Sequence, residues 1–173
     1  MDNIKQDGTT NVLFVCLGNI CRSPTAQGVF EQLLQEREFS HAVSVDSCGT
    51  GDWHAGAAPD RRATAEAAKR GYDLSHLRAR QVTAADFTRF DYILAMDNAN
   101  LAELRAMCPA DYCGHLGLFQ PFAKKTITRE VPDPYYGAGE GFAHVLDLVE
   151  AASKGLLRDI SRKWEGGHAN TTR

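Results

Sequence analysis

The sequence predicts an α/β fold, a single domain in which a four-stranded parallel sheet is covered by helices on both faces. Two observations lead there. Short apolar runs alternate along the chain with segments whose apolar residues recur at helical spacing, the pattern of βα units. The first run, "NVLFVC", also passes through "LGNIC" directly into "RSPTAQGVFEQLLQE", so a cysteine stands where a strand hands over to a helix. In open α/β sheets, ligands bind beyond such carboxyl ends.

Taken in order, Val12 to Cys16 reads as a buried strand. Ser23 to about Glu36 reads as a helix, with Phe30, Leu33 and Leu34 on its apolar face and Pro24 at a tolerated first-turn position. Val43 to Ser47 alternates as a second strand, and the glycine-rich loop "CGTGDWHAGAAP" follows. Asp60 is placed to cap a helix through Arg70 that Gly71 ends. Thr83 with Asp86 resembles a capping arrangement for a short helix. Asp91 to Met96 is a third buried strand, with Leu101 to Met107 on the helix after it, and "HLGLF" is a fourth. Phe142, Val145, Leu146, Val149 and Leu156 then mark one long final helix. The domain is expected over 11–164, with 1–10 and 166–173 as flexible termini.

Composition narrows the function classes. A chain of 173 residues with net charge −3 lacks the basic footprint of a general nucleic-acid binder. The polar start "MDNIKQDGTT" has no apolar signal region, and no run is long enough to cross a bilayer. Five cysteines, an odd number, then suggest free or working thiols in a reducing, cytoplasmic compartment.

The stretch from Cys16 to Ser23 carries chemistry. Successive backbone N–H groups of a tight loop, joined to the free donors of a helix N-terminus, form a cup for an oxyanion of phosphate size. Gly18 and Asn19 are the residue types that best accept the left-handed torsions of such a cup. Cys16 at its base would feel the helix end and Arg22, both of which favour the thiolate and so a nucleophile. Arg22 is suited to hold two phosphate oxygens through its planar fork, and Ser23 to donate a hydrogen bond to the departing sulfur. Cleaving a phosphate ester also needs an acid for the leaving oxygen. Asp133, stiffened between Pro132 and Pro134, is a candidate, with Tyr135 and Tyr136 beside it as an aromatic wall, although an aspartate in such a loop by itself reads first as turn chemistry.

Together "VCLGNICRSP", "DSCGTGDWHAG" and "DPYYG" resemble the low-molecular-weight protein tyrosine phosphatases, a resemblance that runs from about Val12 to Lys163. It implies a Rossmann-like, four-stranded parallel sheet and catalysis with no metal and no cofactor. Cys16 would attack phosphorus, Arg22 would bind the phosphoryl oxygens, and Asp133 would act as general acid and then base. The phosphate-binding loop would comprise Leu17, Gly18, Asn19, Ile20, Cys21 and Ser23. Asn19 would hold its strained shape with support from Ser23, Ser47 and His76. Leu17, Ile20, Trp53, Tyr135 and Tyr136 would line a pocket whose depth and apolar walls favour phosphotyrosine proteins as partners. Members directed at phosphoarginine carry threonine where this chain has Ile20, which leans the substrate toward tyrosine.

Cys21 reads as a small buried loop residue, and the resemblance adds a reversible disulfide with Cys16 that would make the enzyme redox-sensitive. Cys48 reads as a packed side chain, and Cys108 with Cys113 as an incidental pair. Asp97 reads as the cap of the helix after the third strand, with a second role beside His76 open. An exposed aromatic rim is compatible with either a monomer or a weak homodimer. An arsenate reductase on the same fold is the alternative, with Cys108 and Cys113 as its relay; "DPYY" would then have no purpose.

Overall fold

The computed structural model describes residues 8–137 and 140–168. Strand β1 (Thr10–Cys16) opens the domain, helix α1 (Arg22–Glu36) follows, and β2 (Val43–Gly49) returns beside β1. Then come α2 (Arg61–Lys69), the short α3 (Asp86–Arg89), β3 (Tyr92–Ala95), α4 (Asn98–Met107), β4 (His115–Leu118) and the long α5 (Glu140–His168). All strand pairs are parallel, in the order β2-β1-β3-β4, as the alternating pattern predicts. The first strand starts two residues earlier than the apolar run, because Thr10 still pairs with Val43. At the other end α5 runs through His168, past the point where the sequence suggested a tail; residues 1–7 and 169–173 lie outside the described residues.

The strand alternation sorts β1 between two cores. Val12, Phe14 and Cys16 face α1 and α5, where Phe30, Val145, Leu146 and Leu156 meet them. Leu13 and Val15 face the other layer, with Phe87, Leu101 and Leu104 of α3 and α4. Both faces of β1 are therefore covered, and Val12 through Val15 are fully buried, which is what an apolar run in a parallel sheet requires. Phe14 meets Phe30 and Phe119 edge-on at ring-centre distances of 5.8 and 4.8 Å, fixing α1 on the strand. The chain moves from β1 to β2 by α1 on one face, and from β3 to β4 by α4 on the other. The order thus reverses at the β1–β3 boundary, and the carboxyl end of β1 opens into the crevice where this architecture binds ligands.

Local signals fix the surrounding helices. Asp60 caps α2 by accepting from the Arg62 N–H at 2.8 Å. Gly71, at φ 87°, closes that helix, and the N–H of Tyr72 reaches the Ala67 carbonyl at 3.0 Å. The Thr83 N–H donates to the Asp86 carboxylate at 2.8 Å, one half of the capping arrangement expected there. No helix among the described residues is long and apolar enough to cross a membrane.

Candidate active site

Between Cys16 and Arg22 the chain makes a loop, three of whose carbonyls are held by neighbouring segments. The Cys16 carbonyl accepts from the Thr50 N–H at 2.9 Å, that of Leu17 from Gly51 at 2.9 Å, and that of Ile20 from Asp60 at 2.8 Å. With those three oxygens engaged, the N–H groups of Leu17, Gly18, Ile20 and Cys21 make no hydrogen bond to protein among the described residues. Backbone donors left this way at the N-terminus of a 15-residue helix suit an oxyanion. Asn19 supplies the left-handed turn, at φ 55°, and its own N–H donates to the Cys16 sulfur at 3.3 Å. Gly18 does not share that torsion; its lack of a side chain leaves room for His54, whose ring carbon would stand 3.0 Å from a Cβ there.

The Asn19 side chain ties the loop to three other segments. Its amide donates to Ser23 Oγ at 2.8 Å and Ser47 Oγ at 3.0 Å, while its oxygen accepts from the Arg80 N–H at 3.0 Å. The Ser47 hydroxyl in turn donates to Gln27 Oε1 at 2.7 Å. The Ser23 oxygen accepts from Asn19, so its own proton is free for the Cys16 sulfur at 3.0 Å or the Cys48 carbonyl at 3.3 Å. A thiolate has no proton to give, so against it Ser23 is the donor. Ser23 and Ser47 thus stand where a support for Asn19 was expected. His76 does not: it is exposed, in the turn after α2, and has no hydrogen bond to the loop among the described residues. Leu77, the next residue, is the buried one, and the place at Asn19 is filled by the Arg80 backbone.

Arg22 is 2% exposed, on the first turn of α1. Its Nη1 donates to Asp97 Oδ2 at 2.6 Å and to the Val131 carbonyl at 3.0 Å, and its Nη2 lies 3.4 Å from Asp133 Oδ2. Burial works against this cation, yet the Cys16 sulfur, Asp97 and Asp133 outweigh it and hold the guanidinium above its ordinary value. Asp97 does cap α4, accepting from the Asn100 N–H at 2.8 Å. Its second role is as partner of Arg22 rather than of His76.

A cavity of about 310 Å³ rises from the loop, with Cys16, Ile20, Cys21 and Arg22 at its floor and Leu17, Trp53, His54, Asp133, Tyr135 and Tyr136 around it. All the pocket residues expected from the sequence line it, and His54 joins them unforeseen. Trp53 and Tyr136 are 70% and 95% exposed, free-standing walls rather than core. The Asp133 carboxylate accepts from the Tyr135 N–H at 3.0 Å, which turns it toward Arg22. Burial, with the charges of Asp60, Cys16 and Asp133, pushes the Cys21 thiol up to about 12. Cys48 packs in the opposite core, with Leu13 and Val15. Cys108 ends α4 and Cys113 precedes β4, the edge strand two places from β1, and neither lines the cavity above Cys16.

A cysteine, an arginine and an aspartate thus converge on one cup of backbone donors, an arrangement suited to holding a phosphate over sulfur. The sequence profile described as "Low molecular weight phosphotyrosine protein phosphatase" matches residues 11–165. The low molecular weight protein-tyrosine-phosphatase of Streptomyces coelicolor is 41% identical, over 91% of this chain and 98% of its own. The crystal structure of a protein tyrosine phosphatase from Entamoeba histolytica, with Hepes in its active site, superposes with a TM-score of 0.87 at 39% identity, over 90% of this chain and 99% of that one. A structure described as a Drosophila arginine phosphatase superposes at 0.81 with 31% identity, over 86% and 96%.

Proposed function

The chain belongs to the low molecular weight phosphotyrosine protein phosphatase family, and from that premise we propose that it hydrolyses phosphotyrosine and aryl phosphates through a phosphocysteine on Cys16. In the first step the Cys16 thiolate attacks phosphorus in line with the ester oxygen. The S–P bond forms as the P–O bond breaks, and the carboxylic proton of Asp133 goes to the phenolate. The loop N–H groups and the Nε–Nη2 edge of Arg22 receive the three phosphoryl oxygens. Nη1 is engaged by Asp97 and Val131, which supports that orientation. In the second step water attacks phosphorus, Asp133 accepts its proton, and the sulfur leaves as thiolate with Ser23 donating to it.

The observation that carries the reading is the contact of the Cys16 sulfur with Ser23 Oγ at 3.0 Å, beneath loop amides that have no partner among the described residues. Ile20 and the aromatic rim support tyrosine over arginine as the phosphate carrier; the fold alone does not, since the Drosophila arginine phosphatase shares it. Arsenate reduction is the weaker reading, because Cys108 and Cys113 stand away from the site. The reading also assigns the protein to a reducing, cytoplasmic compartment, where a free thiol nucleophile stays available, and to action as a monomer or weak homodimer. The test is release of phosphate from phosphotyrosine and phosphoarginine peptides, with reductant and a metal chelator present. Turnover of the tyrosine peptide that vanishes in Cys16→Ser supports the reading; an inert, fully reduced wild type refutes it.

A further inference from the structure

The segment carrying Asp133 is lightly held. Past Val131, whose N–H donates to Met96 at 2.7 Å, the described backbone hydrogen bonds of 132–137 are local: Tyr135 to the Asp133 side chain, and Gly137 to Pro134 at 3.0 Å. Two side chains from elsewhere reach it: Arg22, whose Nη2 lies 3.4 Å from Asp133 Oδ2, and Arg62, which holds its backbone. Arg62, in the first turn of α2, donates from Nη2 to the Tyr135 carbonyl at 3.0 Å. Its guanidinium also lies 5.5 Å from the Tyr135 ring centre and 4.7 Å from that of Phe142, at the start of α5.

Arg62 is in turn aimed by Asp60, which accepts from Nε at 3.1 Å and from Nη2 at 3.0 Å. The Asp60 N–H donates to the Ile20 carbonyl of the phosphate-binding loop at 2.8 Å. Ile20, Cys21, Ala63 and Phe142 form a small apolar cluster with Tyr135 packed on it. A continuous path therefore runs from the floor of the site through Asp60 and Arg62 to Tyr135. The Tyr135 N–H then holds Asp133 Oδ1 at 3.0 Å.

We infer that Arg62 is a positioning residue for proton transfer, setting the height of Asp133 above the phosphate-binding loop through the Tyr135 turn. The inference rests on Asp133 being the acid of the first step, as proposed above. Arg62 touches neither sulfur nor phosphate, so its loss should leave binding of the phosphoryl group intact. What suffers is the proton delivered to the leaving oxygen.

That distinction is measurable with aryl phosphates of graded leaving groups. Phenolate needs the proton, whereas 2,4-dinitrophenolate departs without it. In Arg62→Ala, kcat/KM for phenyl phosphate is expected to fall about tenfold, and for 2,4-dinitrophenyl phosphate less than about twofold. Arg62→Lys, which keeps a cation over the two rings but loses the fork, should give an intermediate slope. In an Asp133→Asn background, Arg62→Ala should steepen the dependence no further. A fall that is uniform across the series, no fall at all, or added steepening in the double variant overturns the inference. A flat dependence in Asp133→Asn alone, with wild type active, refutes the acid assignment itself and the positioning role with it. Should Arg62→Ala not fold, Arg62→Lys and Arg62→Gln carry the same comparison of slopes.

Discussion

Gly49, at the end of β2, is expected to be as intolerant of change as a residue in the loop itself. A Cβ built there stands 2.6 Å from the Leu17 carbonyl oxygen and 3.2 Å from the Asn19 nitrogen. Ordinary contact begins near 3.4 Å, so the nearer gap is about 0.8 Å short. The obstructing atoms are backbone, and they belong to the segment that cups the phosphate. Neither side yields easily. Gly49 is pinned by its N–H to the Arg80 carbonyl and by its carbonyl to the Val82 N–H, both at 2.8 Å, while Leu17 is held by Gly51 at 2.9 Å. The strain of Gly49→Ala must therefore move the loop relative to Arg22 and Asp133. A displacement near 1 Å at a reacting centre costs roughly a hundredfold in rate, and overpacking of this kind costs about 1–3 kcal/mol of stability. We expect kcat/KM with p-nitrophenyl phosphate to fall between about tenfold and a hundredfold. The melting temperature should drop by only about 3–10 °C, leaving a folded protein at assay temperature. Activity within about twofold of wild type would show that the loop does not need this approach, and would refute the reasoning.

Arg22→Lys should fold, yet lose about a hundredfold or more in kcat/KM, because one ammonium cannot serve Asp97, the Val131 carbonyl and two phosphoryl oxygens at once. Steady-state kinetics with phosphotyrosine checks this, and a loss under about tenfold contradicts it. Cys21 titrates from 9.0 in a free thiol to about 12 here, so the fold favours its protonated form. That stability is fully present below pH 9.0 and is lost as pH rises toward 12. Cys21→Ser should accordingly flatten alkaline unfolding over that window, as read by circular dichroism against pH. With peroxide, Cys16 is expected to form the sulfenic acid, from which the Cys21 thiol should displace water to give a disulfide. Dithiothreitol should restore wild-type activity after mild peroxide and fail to restore much of it in Cys21→Ser; equal recovery in both would remove Cys21 from that role.

How much of this was legible along the chain depended on distance. Cys16, Asn19, Arg22 and Ser23 fall within one strand-loop-helix junction, so local torsions and helix-end donors are enough to suggest an anion cup. Asp133 could be read only once "DPYYG" joined the cysteine loop in the family resemblance, because flanking prolines alone suit turn chemistry equally. Partners that meet only through the fold carried no such mark. Asp97 reaches Arg22 because β3 lies beside β1, and its capping role hid the other one. Gln27 looks from sequence like any residue of an amphipathic helix. Arg80 supports Asn19 through a backbone N–H, which no residue type advertises, whereas His76, put forward only by the family resemblance, makes no hydrogen bond to the loop among the described residues. Gly49 was invisible for a related reason, since a close approach between two backbones shows only once both strands are in place.

The most direct test of a phosphocysteine mechanism is to trap the intermediate. Acid quenching within a turnover of 2,4-dinitrophenyl phosphate, followed by peptide mapping, should find a phosphoryl group on Cys16. The label should be absent from Cys16→Ser, and should build up in Asp133→Asn, where the base of the second step is missing. Turnover that persists in Cys16→Ser, or a phosphoryl group found on another residue, would contradict the account.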